Sequence, residues 1–125
     1  MSDLPLLTAK EKMGDGGVTR LTYWLGSKHI GSARIIQTAL GEINVNKYQR
    51  RKGYGTRILK DLENRGVTTT LIVTDEGAAF FKEAGWITRD GWWWTKPTGQ
   101  EPHRGRILAL PWWQVQTLFF REIII

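Results

Sequence analysis

One seven-residue segment constrains this chain more than any other: Arg50-Arg51-Lys52-Gly53-Tyr54-Gly55-Thr56. It follows an alternating run at residues 42–46 that is typical of a strand, and it opens a helical pattern at residues 58–62. Glycine has no Cβ, so the chain can turn sharply here and a ligand can approach the backbone closely. The unpaired N–H groups of a first helical turn attract anions. The segment therefore predicts a cradle for a ligand that carries a pyrophosphate.

The composition limits the class of protein and the kinds of site. A chain of 125 residues, with 41% hydrophobic and 24% charged residues, is expected to form one globular domain. Cysteine is absent, which excludes disulfides, thiolate metal ligands and a cysteine nucleophile. With only His29 and His103, we expect no metal site. Neither a signal peptide nor a membrane-spanning run is evident, so we expect a cytoplasmic protein with no membrane partner.

The chain is strongly basic, with a net charge of +6 and a pI near 9.9. Such a surface suits the phosphates of a nucleic acid, or a smaller polyanion such as a nucleotide cofactor. It is equally compatible with a solvated basic face that has no partner. Charge alone leaves all three interpretations open.

Periodicity and turn residues predict the element order β-β-β-α-β-α-β-β-α after a leader at residues 1–17. The predicted strands are 19–25, 29–36, 42–48, 68–74, one from Trp86, which 92–96 either continues or pairs with, and 106–110. The predicted helices are 53–65, 76–84 and 112–121. A helix that crosses between strands 42–48 and 68–74 implies that these two strands are parallel.

This order, with two motifs, resembles the GNAT superfamily of acyl-CoA-dependent N-acyltransferases over roughly residues 19–110. The family signature Q/R-x-x-G-x-G/A after the fourth strand is matched by Arg50-Arg51-Lys52-Gly53-Tyr54-Gly55. The second motif is a small-residue helix with an aromatic pair, Ala78-Ala79-Phe80-Phe81-Lys82-Glu83-Ala84-Gly85-Trp86. The resemblance implies an α/β fold of the α+β mixed-sheet kind, mostly antiparallel and twisted, with a splayed parallel pair and flanking helices. We expect a single domain over 1–125, with a core at about 19–110 and an apolar helix or tail at 111–125.

The resemblance also implies acetyl-CoA or another acyl-CoA as cosubstrate. The amides of the glycine turn would bind its pyrophosphate, and the pantetheine arm would lie in the splay beside Ile43 to Val45. The amine substrate would attack the thioester directly. The residues implied to contact the cofactor are Ile43, Val45, Arg50, Arg51, Lys52, Gly53, Tyr54, Gly55, Thr56, Thr74 and Phe81.

The chain departs from the family pattern at three points. Phe81 stands where the family often has a tyrosine that protonates the leaving thiolate, and Thr74 stands where it often has an asparagine. Members usually carry two helices between their first and second strands, and the short stretch before Thr19 leaves little room for them. An open acceptor side favours a macromolecule, such as a protein or a nucleic acid, as the acceptor. Glu42 is the candidate general base, and an ordinary strand-end glutamate is the alternative.

Two further features have open interpretations. The seven tryptophans either build core and cover sheet edges or form a stacking platform. The apolar tail either packs on the sheet or forms a homodimer seam, and Ile123-Ile124-Ile125 is a candidate edge strand for a partner chain. Besides an N-acetyltransferase, the sequence allows a degenerate member that binds nucleic acid or a protein, or a nucleic-acid base-modifying enzyme.

Overall fold

A computed structural model of the chain describes residues 6–72, 74–97 and 123–125. The strands are β1 Leu7–Met13, β2 Thr19–Leu25, β3 Lys28–Ile36, β4 Ala39–Val45, β5 Thr69–Leu71, β6 Ile87–Thr88, β7 Trp93–Thr95 and β8 Ile123–Ile124. The α-helices are α1 Tyr54–Asn64 and α2 Asp75–Glu83, and short 3-10 turns occupy Asp15–Gly17 and Lys47–Gln49. Within this described part, neither helix has the length and apolar character that crossing a membrane requires.

The strands form one mixed sheet in the order β1-β2-β3-β4-β5-β7-β6, with β8 paired to β4. The pairs β4–β5 and β4–β8 are parallel, and the others are antiparallel. The sequence-based prediction of a mixed, mostly antiparallel sheet with a parallel pair and flanking helices is therefore confirmed.

The core lies between α1 and one face of the sheet. Leu21, Ala33 and Ile43 are opposite one another on β2, β3 and β4, and all three are fully buried. On α1, Ile58, Leu59 and Leu62 recur at helical spacing and are buried in the same cluster. Because side chains alternate along a strand, the intervening residues of β2, β3 and β4 face away from α1.

The C-terminal half of α1 is tied to β1 and β2 by polar contacts. The Tyr23 hydroxyl donates a hydrogen bond to Asp61 Oδ2 at 2.7 Å, and Arg65 Nε donates to the same oxygen at 2.7 Å. The Arg65 guanidinium also lies 3.9 Å from Glu11 Oε1. Burial raises the pKa of Tyr23, and its bond to the Asp61 carboxylate raises that pKa further. The helix is thus fixed to the sheet at the end remote from the glycine turn.

Several predicted boundaries differ from the structure. The sequence predicts no strand in the leader at 1–17, but this stretch contains β1, which pairs with β2 along its whole length from Leu7 to Met13. This strand escapes a periodicity search because the charged Glu11 interrupts the alternation of Leu7, Ala9 and Met13 with polar residues. The predicted strand 68–74 is shorter, because β5 ends at Leu71.

The remaining predicted elements either correspond to elements of the structure or lie outside the described residues. The strand predicted at 42–48 begins earlier, at Ala39, and gives way to the Lys47–Gln49 turn. The strand predicted from Trp86 begins at Ile87 as β6, and the stretch 92–96 contains β7, which pairs with β6 and does not continue it. The predicted strand 106–110 and helix 112–121 lie outside the described residues.

Candidate cofactor site at the glycine turn

The turn before α1 is built from two residues in the left-handed backbone region. Arg51 has φ 60° and Gly53 has φ 85°, a conformation that glycine adopts without a steric penalty. Gly53 is the N-cap of α1, and no side chain of the described residues caps this end of the helix. The first intrahelical bond runs from the Arg57 N–H to the Gly53 carbonyl at 3.2 Å. The amides of residues 54–56 therefore have no intrahelical acceptor.

Basic side chains surround these amides. Arg51 and Lys52 are exposed, and the Arg57 guanidinium lies 5.9 Å from the centre of the Tyr54 ring. Arg50 Nε donates to the Val45 carbonyl at 2.8 Å, which holds the turn against the end of β4. The helix dipole and these cations together favour an anion at the start of α1.

Gly55 lets another group come directly against the backbone at this turn. A Cβ built on this residue would lie 2.9 Å from Ile125 Cγ2 and 3.5 Å from Phe80 Cε1. The first distance is shorter than real contacts allow, so a side chain at position 55 would displace the neighbour. Phe80 is not among the residues that the sequence predicts at the site. Its distance from the Cβ built on Gly55 shows that it lies beside the turn.

The parallel pair β4–β5 separates after two residues. Ala39 pairs with Thr69 and Leu40 with Thr70, and the Thr70 hydroxyl donates to the Leu40 carbonyl at 2.9 Å. Beyond this point the same edge of β4 pairs with β8: Ile43 is opposite Ile123, and Asn44 is opposite Ile124. The edge predicted to accept a pantetheine arm is thus the edge that β8 occupies. The partner of Ile123–Ile124 lies in the same chain, where the sequence suggested a partner chain.

Glu42 lies on the sheet face opposite α1. It is opposite Arg34 on β3, which in turn is opposite Arg20 on β2. Asn44 and Ser32 form the neighbouring pair on the same face. The two arginines and the carboxylate make this face polar, in contrast to the buried face that carries Ile43 and Val45.

Thr74 and Phe81 have structural contacts on α2. The Thr74 hydroxyl accepts a hydrogen bond from the Gly77 N–H at 3.1 Å, so Thr74 is the N-cap of this helix. Phe81 is fully buried, and its ring lies edge-on to Trp86 with centroids 4.8 Å apart. Contacts of either residue with a cofactor stay predictions.

The described tryptophans divide between core and surface. Trp86 and Trp94 are buried, whereas Trp92 is 58% exposed. Trp24 lies beside His29 with ring centroids 5.0 Å apart, and Asn46 Nδ2 lies 2.9 Å from His29 Nδ1. Trp112 and Trp113 lie outside the described residues. Among the described side chains, no group of three or more potential ligands is placed to hold a metal ion.

Comparison with known proteins identifies the fold. No protein-family model and no curated protein matches the sequence. The structure is similar to that of an acetyltransferase from Thermus thermophilus, with a TM-score of 0.54 and 17% sequence identity. The match covers 66% of this chain and 66% of that protein. The chain has a GNAT-like fold.

A second solved structure is less similar. It is an acetyltransferase from Bacillus subtilis in complex with CoA, matched with a TM-score of 0.47 and 13% identity. That match covers 66% of this chain and 76% of the other. Sequence identities as low as these show similarity of fold alone. The chemistry of this chain therefore has to be argued from its own residues.

Proposed function

We propose that this protein is a GNAT-type N-acyltransferase that binds acetyl-CoA, or another acyl-CoA, and transfers the acyl group to an amine. The observation that carries the proposal is the start of α1. There, a left-handed turn at Gly53 leads into a helix end that no described side chain caps, in the connection that follows the strand from which β5 diverges. The fold shared with an acetyltransferase supports it.

The residues at the turn fit the phosphates of CoA. The amides of residues 54–56 lack intrahelical acceptors, and Arg51 and Lys52 add positive charge from exposed positions. Gly55 exposes its backbone to a ligand after Ile125, whose side chain lies against it, has moved away. The edge of β4 at Ile43 and Asn44, which β8 occupies in this structure, would offer main-chain groups to the pantetheine arm after β8 has left. Acyl-CoA supplies the acyl group as an activated thioester.

Glu42 is the proposed general base. It lies on β4 one position before the proposed pantetheine edge and on the polar face of the sheet. A carboxylate in this position would accept the proton that the attacking amine loses. Arg34 lies opposite Glu42 on β3, so the proposed base has a cationic neighbour on the same face.

The acceptor is proposed to be a macromolecule, either a protein amine or a nucleic-acid amine. β1 and β2 are joined by residues 14–18 alone, where the family resemblance implies two helices. The polar face that carries Glu42, Arg34 and Arg20 is therefore not covered by helices from this connection. Its basic side chains and the net charge of +6 suit an acidic acceptor surface. A cytoplasmic location stays a prediction.

Isothermal titration calorimetry with acetyl-CoA tests cofactor binding directly. The proposal predicts saturable binding with a micromolar dissociation constant. Intact-mass measurement of candidate proteins and oligonucleotides, incubated with acetyl-CoA and the enzyme, then tests transfer. An added acetyl mass that is lost in the Glu42→Gln variant supports the proposed base. Absence of acetyl-CoA binding would contradict the proposal.

A degenerate GNAT-fold binding module is the second candidate. The occupation of the β4 edge by β8 favours it, because a domain without a cofactor would gain from filling that edge. Phe81 also lacks a proton to give and lies in the core. Failure to bind acetyl-CoA, together with salt-sensitive affinity for DNA or RNA, would favour this candidate.

A further inference from the structure

The segment Ile123–Ile125 occupies space that the proposed cofactor site requires. β8 extends the sheet at β4 in parallel, opposite Ile43 and Asn44, on the edge from which β5 has departed. The other edge of β4 is paired with β3, so β8 takes the one edge through which a ligand can add to this strand. Extended peptides add to exposed sheet edges through the same main-chain bonds.

The contacts continue from the strand edge to the glycine turn. Ile123 is only 6% exposed and belongs to the core cluster. A Cβ built on Gly77 of α2 would lie 3.4 Å from Ile123 Cβ. At the other end, the Ile125 side chain lies against Gly55, and the Ile125 carbonyl accepts a hydrogen bond from the Arg51 N–H at 3.4 Å. Three consecutive residues thus bridge the β4 edge and the proposed phosphate cradle.

We propose that residues 123–125 act as an intramolecular competitor of acyl-CoA. This inference rests on the proposed function, because it concerns the same site. The segment and the pantetheine arm need the same edge of β4, and Ile125 and a phosphate need the same space beside Gly55. The two occupants are mutually exclusive, so the cofactor binds only after the segment has left.

The contact is small enough to be reversible. The segment pairs two residues with β4 and buries one side chain, and its last hydrogen bond is long. A ligand that makes more contacts with the same surface can displace the segment. Competition of this kind raises the apparent dissociation constant of CoA. The apparent value is the intrinsic value divided by the fraction of molecules in which the site is open. If the segment is bound in about nine molecules of ten, its release would tighten CoA binding about 10-fold.

Two variants release the segment in different ways. Ile123→Asp places a carboxylate in a buried apolar position, which opposes docking. Ile124→Pro removes a main-chain N–H from β8 and leaves the buried Ile123 side chain in place. Ile87→Asp is the matched control, because Ile87 is 58% exposed on β6 and lies on the far edge of the sheet. Thermal unfolding verifies that each variant is folded.

Calorimetry with CoA compares the variants with the wild-type chain. We expect both β8 variants to bind CoA about 10-fold more tightly and Ile87→Asp to match the wild type. Equal affinities in wild type and both β8 variants would overturn the inference and leave the proposed function standing. If no chain binds CoA, the proposed function fails, and the competitor role fails with it.

Hydrogen exchange supplies a readout that does not depend on the variants. In the wild-type chain, saturating CoA is expected to speed amide exchange at Ile124 and Ile125 and to slow it at residues 54–56. The opposite behaviour at 124–125, with exchange slowed by CoA, would show that the segment stays docked beside the cofactor and would overturn the inference.

Discussion

The starts of the two helices differ in every feature that governs anion binding. α2 has a side-chain cap from Thr74 and two acidic residues, Asp75 and Glu76, in its first turn. α1 begins after Gly53, without a side-chain cap from the described residues and without acidic residues in its first turn. The acidic residues complement the positive helix end of α2 internally. The first turn of α1 has no such internal complement, and the basic residues Arg51 and Lys52 precede it.

This contrast supports the proposal that the start of α1 binds a ligand, whereas the start of α2 serves the stability of its own helix. α1 tolerates an incomplete N-terminus because its other half is fixed by the Tyr23–Asp61–Arg65 contacts. Substitutions at the start of α1 should therefore change cofactor affinity. Equivalent substitutions on α2, and substitutions at the fixed end of α1, should change the free energy of unfolding.

The largest effect is expected from Gly55→Val. Its side chain would fill the space that the phosphates need, and overpacking of about 1 to 3 kcal/mol corresponds to a loss of CoA affinity of up to about 100-fold. Calorimetry measures the loss. Ala79→Val, at an exposed position of α2, is the matched control and should bind CoA as the wild type does. Normal CoA binding by Gly55→Val would show that the turn is not the phosphate site.

Tyr23→Phe tests the fixed end of α1. Loss of a hydrogen bond to a carboxylate should lower the free energy of unfolding by about 1.5 kcal/mol, with CoA affinity unchanged. Tyr48→Phe, at a residue that is 82% exposed, should leave stability unaltered. Urea unfolding measures both. A large loss of CoA affinity in Tyr23→Phe would show that the two ends of α1 are coupled.

The same tyrosine predicts a pH dependence. The pKa of Tyr23 is raised in the folded state above its ordinary value of 10.0, mainly by burial. Folding therefore favours the protonated phenol, and this contribution is fully present below about pH 10 and is lost as the pH rises further. Wild-type stability should fall more steeply than that of Tyr23→Phe as the pH rises above about 10. Parallel stability curves would contradict the assignment.

Thr74→Ala tests the cap of α2. Removal of an N-cap hydroxyl should lower the free energy of unfolding by about 1 kcal/mol, and Thr74→Ser should restore most of it. CoA affinity should not change if Thr74 serves only the helix. A loss of affinity in Thr74→Ala that Thr74→Ser restores would instead support the cofactor contact implied by the family resemblance.

The smallest effect is expected from exchanging charges at the two helix starts. Lys52→Glu should weaken CoA binding about 5-fold at low ionic strength, and the effect should shrink as added salt screens the charge. Glu76→Lys should leave CoA affinity unchanged and cost about 0.5 kcal/mol of stability through the helix dipole. Calorimetry at two salt concentrations measures the change in CoA affinity, and urea unfolding measures the change in stability. Equal effects of both variants on affinity would remove the distinction between the two helix ends.

Much of the fold can be predicted from local patterns of the sequence. The glycine turn, both helices, the hairpin β2–β3 and the parallel order of β4 and β5 follow from periodicity and turn residues. β1 does not, because Glu11 interrupts its apolar alternation and its existence depends on pairing with β2. Phe80 at the turn likewise depends on the angle at which α2 approaches α1.

The occupant of the splay was not predictable from the sequence. Ile123-Ile124-Ile125 is visibly suited to a strand, but no local pattern tells which edge a remote apolar segment will join. The edge is decided by the early divergence of β5, which leaves Ile43 and Asn44 without a β5 partner on that side of β4. Long-range pairing of this kind depends on the folded sheet and not on the residues of the segment alone.

Backbone amide NMR during a titration with CoA tests the central claim most directly. The account predicts that the resonances of residues 51–56 shift until the site is saturated, whereas those of the α2 start, residues 75–77, shift much less. Saturable CoA binding that leaves the resonances of residues 51–56 unmoved would contradict it.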